Sequence, residues 1–166
     1  MLAVDSPLAA YRAAAEAQDT QAMLACLRPD VVLTSPITNR FTFTGHAMLG
    51  PLLDDVHAVV SPPVVRVDAG DDRERLLVIE TGVGRQELTE LVAITLDEDG
   101  LIATLELALR PMPGLLAMAA ALGPRVARRR SRVRALAVRA MIAPLAFAAT
   151  SGEGVASRLA APPRPS

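Results

Sequence analysis

Between residues 64 and 110 the sequence reads as four consecutive strands, at about 64–69, 74–83, 86–97 and 101–110. No other feature restricts the fold as much. Asp71-Asp72 and Asp97-Glu98-Asp99-Gly100 are tight-turn sequences, and strands joined by tight turns pair with their neighbours as an antiparallel meander. In the last run Leu105, Leu107 and Leu109 share one face and Glu106 takes the other, because successive side chains of a strand point to opposite sides. A sheet with one apolar face needs a cover, and the upstream sequence supplies it.

Residues 6–27 have helical spacing, with Ser6 as N-cap and Pro7 at the first helical position. Leu8, Tyr11 and Ala15 form one apolar series; Met23, Leu24 and Leu27 form another. The polar Gln18-Asp19-Thr20 breaks them into two helices, the second ended by Pro29. Val31–Thr34 and Phe41–Thr44 then read as a short strand pair, the first closed by Ser35-Pro36. Helical spacing returns over 46–60, where Leu49, Leu52, Leu53, Val56 and Val60 form a stripe that Pro62-Pro63 stops. The order predicts an α+β fold, with N-terminal helices packed on one face of a curved antiparallel sheet.

Past Pro111-Met112-Pro113 the texture changes, which divides the chain into a domain at 1–111 and an extension at 112–166. Gly114–Leu122 reads as a short apolar helix closed by Gly123-Pro124. A long basic helix is expected over 125–149, before an end rich in proline, Pro162-Pro163-Arg164-Pro165. The net charge of −1 argues against a polyanion partner, but it averages two unlike parts. Residues 1–111 carry 8 Arg and 17 acidic residues; residues 112–166 carry 9 Arg and only Glu153 as an acid. Arg125, Arg128, Arg129 and Arg132 follow helical spacing beside Val126, Val133, Ala137, Ala140 and Met141. Such a helix can pack on acidic residues of its own domain or of a dimer mate (Asp54, Asp55, Asp68, Asp71 and Asp72), or lie on an anionic membrane. It lacks the stacking aromatics that would favour nucleic acid.

Cys26 is the only cysteine, so no disulfide forms within the chain, and its apolar helical setting suits a buried structural thiol. The start lacks a basic segment followed by an apolar run, and Arg139 and Pro144 interrupt Ala135–Ala149. A cytoplasmic protein is expected. No spacing among His, Cys and acids suggests a metal, and no cofactor is implied.

The first 111 residues resemble the nuclear transport factor 2-like superfamily, which includes ketosteroid isomerases, limonene epoxide hydrolases and SnoaL-type polyketide cyclases. The resemblance lies in Tyr11 on the first helix, the Ala17-Gln18-Asp19 break, and the run Leu24-Ala25-Cys26-Leu27-Arg28-Pro29-Asp30-Val31. Ser35-Pro36, Phe43-Thr44-Gly45-His46 and the long hairpin strands follow in order. It implies a cystatin-like cone: a sheet curled round the helices, with an apolar cavity at the wide end into which a few polar groups project.

The resemblance also permits a residue-by-residue test. Ketosteroid isomerases use a carboxylate base and an oxyanion hole of Tyr and protonated Asp. The Tyr corresponds to Tyr11, but the base falls on Ser35 and the Asp on Val92, so that chemistry is not expected. Epoxide hydrolysis in the family uses an Asp–Arg–Asp arrangement. Strand carboxylates here are Glu80, Glu87, Glu90 and Glu106, with Arg85 and Arg110 as partners. The Leu face of the last strand leaves Glu106 outside; Leu76-Leu77-Val78-Ile79 does not alternate, so the face of Glu80 stays open. His46 and His57 lie eleven residues apart on one helix, roughly 16 Å, too far to share a metal or a proton. SnoaL-type cyclases use a cavity His/Asp pair, which makes His57 a candidate base.

The expectation is thus a dimeric cone protein that binds a small apolar molecule with Tyr11, Ser35, Leu53, His57, Val92, Leu105, Leu107 and Leu109, and Thr38 adding a hydroxyl at the mouth. The extension would serve as lid, dimer clasp or membrane foot. Two alternatives stand beside it. One is a SnoaL-type cyclase, isomerase or hydrolase using Tyr11 with His57 or Glu80. The other is a membrane- or partner-binding module built on the arginine helix.

Overall fold

A computed structural model describes residues 8–160. Ser6, Pro7 and the proline-rich end at 162–165 lie outside the described residues. Two short helices open the fold, α1 (Ala9–Glu16) and α2 (Thr20–Ala25), separated where expected. Gln18 takes a left-handed conformation there, and the Asp19 carboxylate accepts from the Ala22 amide at 3.0 Å as the cap of α2. Strand β1 (Leu27–Thr34) begins earlier than Val31 because α2 ends before Pro29, and Pro29 itself lies within the strand. The short β2 (Thr42–Thr44) and helix α3 (His46–His57) follow.

Then come β3 (Val64–Gly70), β4 (Glu74–Val83), β5 (Gln86–Leu96) and β6 (Ile102–Arg110). The six strands form one curved, unclosed sheet in the order β2-β1-β6-β5-β4-β3. Its pairs are antiparallel apart from β1 with β6, which run parallel with Leu33 opposite Leu105. No turn joins those two strands, so nothing local to the sequence dictated their orientation.

One face of the sheet holds the core. Leu77, Ile79, Val92, Ile94, Leu96 and Leu105 meet Leu8, Tyr11 and Ala15 from the first helical segment, Leu24 from α2, and Leu49, Leu52 and Leu53 from α3. A buried ion cluster fastens α1 to the far hairpin. The Asp68 carboxylate, fully buried on β3, accepts from Arg12 Nη1 at 3.1 Å and from Arg75 Nη2 at 2.6 Å.

The extension forms a helical hairpin of α4 (Met112–Arg128) and α5 (Arg132–Ala160). This corrects the expected pair of helices. Gly123-Pro124 does not end a helix; α4 runs through it, and the break falls at Arg129–Ser131, where the Ser131 hydroxyl accepts from the Arg134 amide and caps α5. Gly123 serves a different purpose. A Cβ there would sit 3.0 Å from Val138 Cγ1, so its missing side chain lets α5 approach α4 closely. Gly114 does the same at the other end: a Cβ would lie 2.7 Å from the Glu87 carbonyl, so α4 rests directly on β5. A second apolar cluster, Val83, Leu88 and Met118 with Leu109 and Leu122 against it, secures that end of α4 to the sheet.

Candidate functional site

Core helices, sheet and hairpin leave between them a cavity of about 990 Å³. Its depth is walled by α1, β5 and β6, its sides by α3 and α4. The loop after β1 and the start of α3 form one side of the mouth, through Ile37, Phe41 and Met48. Opposite them stand Arg134, Ala137, Val138, Met141 and Ile142 of α5. The lining is overwhelmingly apolar, so each polar group in it is conspicuous.

Tyr11, Ser35, Leu53, His57, Val92, Leu105, Leu107 and Leu109 all lie along this cavity, and Thr38 lies at its mouth. Ser35 and Thr38 are held locally, their hydroxyls accepting from the Ile37 and Arg40 amides at 3.2 Å. Glu80 faces away. It is exposed on the outer surface of β4 and accepts from Arg66 Nε at 2.7 Å, which removes it from any cavity chemistry. The reason is the pleat: Leu77 and Ile79 point inward, so Glu80 must point out.

The carboxylate that does reach the cavity is Glu90, one of the four strand acids but not singled out from sequence. The signal was available: Glu90 shares the period-2 face of Leu88, Val92, Ile94 and Leu96, all buried. Burial raises its pKa to about 7, since a carboxylate among Leu, Val and Met loses the hydration that would stabilise its charge. Burial likewise raises Tyr11, and the nearby charge of Glu90 adds to the effect. No hydrogen bond is made by the Tyr11 hydroxyl or the Glu90 carboxyl among the described residues, and neither side chain is sealed from the cavity.

His57 sits at the end of α3 with Nδ1 3.2 Å from the Thr20 hydroxyl, which itself lies 2.7 Å from Asp54 Oδ1. Thr20 has one hydroxyl proton, and it donates that proton to Asp54. The proton between Thr20 and His57 therefore belongs to Nδ1, leaving Nε2 as the free base. Burial lowers the His57 pKa, partly opposed by Asp54 and Asp19, which favours the neutral ring. His46 is held outside the lining, with Nε2 3.1 Å from the Leu27 carbonyl. Cys26 is half-buried beside the core, and its thiol donates to the Ala22 carbonyl at 3.4 Å. Among the described residues no group of three or more His, Cys, Asp or Glu is placed to hold a metal.

No family model matches the sequence, and neither does any curated protein. Solved structures do. An uncharacterised bacterial protein with a cystatin-like fold from Silicibacter pomeroyi superposes with a TM-score of 0.69 at 26% identity, over 82% of this chain and 94% of that one. A steroid delta-isomerase from Pseudomonas aeruginosa gives a TM-score of 0.63, also at 26% identity, over 79% of this chain and 96% of that one. An NTF2-like protein of unknown function from Cytophaga hutchinsonii shares the fold at 13% identity, with a TM-score of 0.54 over 68% and 95% of the two chains.

Proposed function

The chain belongs to the nuclear transport factor 2-like superfamily, and within it we propose that this protein binds a small, mostly apolar molecule carrying at least one oxygen function. One observation carries the reading: an apolar cavity of about 990 Å³ presents Tyr11 and Glu90 at its inner wall, neither with a hydrogen-bond partner among the described residues. Buried polar groups are ordinarily satisfied, and a site that leaves two open at the inner wall suits a ligand that completes them. The Tyr11 hydroxyl donates to a carbonyl or hydroxyl oxygen. Glu90, with a pKa near 7, can donate as an acid or accept as a carboxylate. The cavity is at the upper end of the usual range for small-molecule sites, which suits a multi-ring or long-chain molecule.

Two probes test this: the apolar dye Nile red, followed by fluorescence, and progesterone, followed by displacement of the dye. Saturable binding of both is expected, with Tyr11→Phe weakening progesterone about tenfold, the loss of roughly one good hydrogen bond in a dry site. Absence of saturable binding, or equal affinity in wild type and Tyr11→Phe, would overturn the reading.

A catalytic reading has its own observation in the Glu90 carboxyl, whose pKa of about 7 is suited to proton transfer. It follows the cyclase, isomerase or hydrolase alternative with Glu90 replacing Glu80, Tyr11 polarising a carbonyl, and Glu90 or His57 Nε2 moving the proton. Formation of a conjugated enone from a β,γ-unsaturated steroid ketone, read by ultraviolet absorbance, tests the isomerase form. A rate that Glu90→Gln leaves unchanged would exclude that role for Glu90.

A further inference from the structure

Helix α5 is out of keeping with the rest of the surface. Val133, Leu136, Met141, Leu145 and Phe147 are all more than half exposed on it, Val133 at 78%. At 3.6 residues per turn, Val133, Leu136, Ala137, Ala140, Ala143 and Phe147 share the side opposite α4, and no charged residue falls among them. Arginines border that stripe. Arg132 and Arg139 lie along one edge, where with Arg125 and Arg128 of α4 they ring a groove that also contains Leu136; Arg134 lies along the other edge, at the cavity mouth. Among the described residues, Arg125, Arg128, Arg132 and Arg139 have no acidic partner. Among the described residues, the pairing of the basic helix with acidic residues of its own domain is confined to Arg129, which reaches Asp55 at 2.6 Å; Asp68 is engaged by Arg12 and Arg75.

We propose that the α4–α5 hairpin seats the protein on an anionic phospholipid surface, with the apolar side of α5 in the acyl layer and the bordering arginines on headgroup phosphates. An apolar strip between two cationic borders is the pattern of a helix lying in the membrane interface. Nucleic acid would leave the strip unmatched, and a second copy would bring the arginine borders together.

Arg132–Gly152 is long and apolar enough to cross a bilayer (mean hydropathy 1.5), because the helix continues through Arg139 and Pro144. Its other side, however, packs on α4 and walls the cavity, and crossing would strip both away. The interface position keeps them. It also brings the mouth close to lipid through Met141, which lines the mouth beside the strip and is exposed, so the apolar ligand exchanges with the membrane. That last consequence rests on the cavity reading above; the docking does not.

Flotation of the full chain with vesicles of phosphatidylcholine, with and without phosphatidylglycerol, tests it at low and high salt. Binding to the anionic vesicles alone, weakened by salt, is expected. Each arginine near an anionic surface contributes about fivefold (about 1 kcal/mol). Arg128→Gln with Arg132→Gln should therefore lower partitioning about 30-fold, and Phe147→Ser about tenfold or more. Neither set lines the cavity, so Nile red binding and circular dichroism confirm an intact fold in each variant. Lost dye binding in wild type with vesicle binding kept would sink the ligand reading and leave the docking standing. Equal binding to neutral vesicles, or no loss in the variants, overturns the docking. So does a dimer that Phe147→Ser dissociates without any vesicle binding, which assigns the strip to a second copy. Salt-sensitive oligonucleotide binding indifferent to Phe147→Ser, with no vesicle binding, assigns the arginines to nucleic acid and overturns it too.

Discussion

Replacing Glu90 by Gln should make the protein more stable at pH 8 while changing little at pH 4. In the unfolded chain the carboxyl titrates near its ordinary value of 4.5; in the fold it titrates near 7. Between those values the native state holds a proton that the unfolded state has released, so stability falls as pH rises across the interval and is level above it. At 1.36 kcal/mol per pH unit the interval corresponds to about 3 kcal/mol, a large part of the stability of a domain this size. Gln keeps the shape and removes the ionisation, so its curve should lack this descent. The assay is urea unfolding at half-unit steps from pH 4 to 8, for both proteins, with the slopes on denaturant compared to confirm that the same surface is exposed. Parallel stability curves for wild type and Glu90→Gln would refute the reasoning, because they would mean that Glu90 ionises in the cavity without cost. A bound hydrogen-bond donor should shrink the difference by solvating the carboxylate, which links this measurement to the ligand.

Three further outcomes follow from packing and polarity. Gly114→Ala would gain about 0.5–1 kcal/mol from helix propensity alone, yet its Cβ would meet the Glu87 carbonyl at 2.7 Å. A net loss of about 1–3 kcal/mol in urea unfolding is expected, and a gain would mean that α4 does not rest on β5 as described. Asp68→Ala leaves Arg12 and Arg75 buried without their shared partner and should cost about 3–5 kcal/mol in thermal or urea unfolding; less than ~1 kcal/mol would show that water reaches the cluster. His57→Gln should leave Nile red affinity within about twofold, since burial favours the neutral ring and it is one lining group among many; a tenfold loss would make His57 a ligand contact.

The sheet was legible because its information is local. Asp97–Gly100 and Asp71-Asp72 hold their turns through their own side chains, with Asp97 accepting from the Asp99 and Leu101 amides and Asp71 from those of Arg73 and Glu74. The strands between them accordingly end within a residue or so of the bounds the turns set. Asp19 announced a cap for the same reason. What the sequence did not reveal was set at long range. Gly123-Pro124 carries the local signature of a helix end, but packing of α5 across Gly123 outweighs the hydrogen bond that Pro124 cannot make. The parallel pairing of β1 with β6 joins segments some seventy residues apart in the chain, with no turn to announce it. In the site, alternation on β5 contained the placement of Glu90, but resemblance directed attention to Val92, two positions along the same face. Glu80 was open because Leu76 and Val78 are apolar on a surface that the fold leaves outside; Leu76 is 40% exposed.

The sharing of one cavity between cone and hairpin has a further consequence. The residues that keep the sheet folded and the α5 residues that close one side of the mouth are encoded in separate stretches, and α5 contributes no residue to the main core among the described residues. If the cavity binds a ligand as proposed, substitutions in α5 can therefore alter which molecules enter and how fast they leave without lowering the melting temperature, whereas most changes on β5 or β6 would alter both. The shape of the mouth is thus free to diverge faster than the fold.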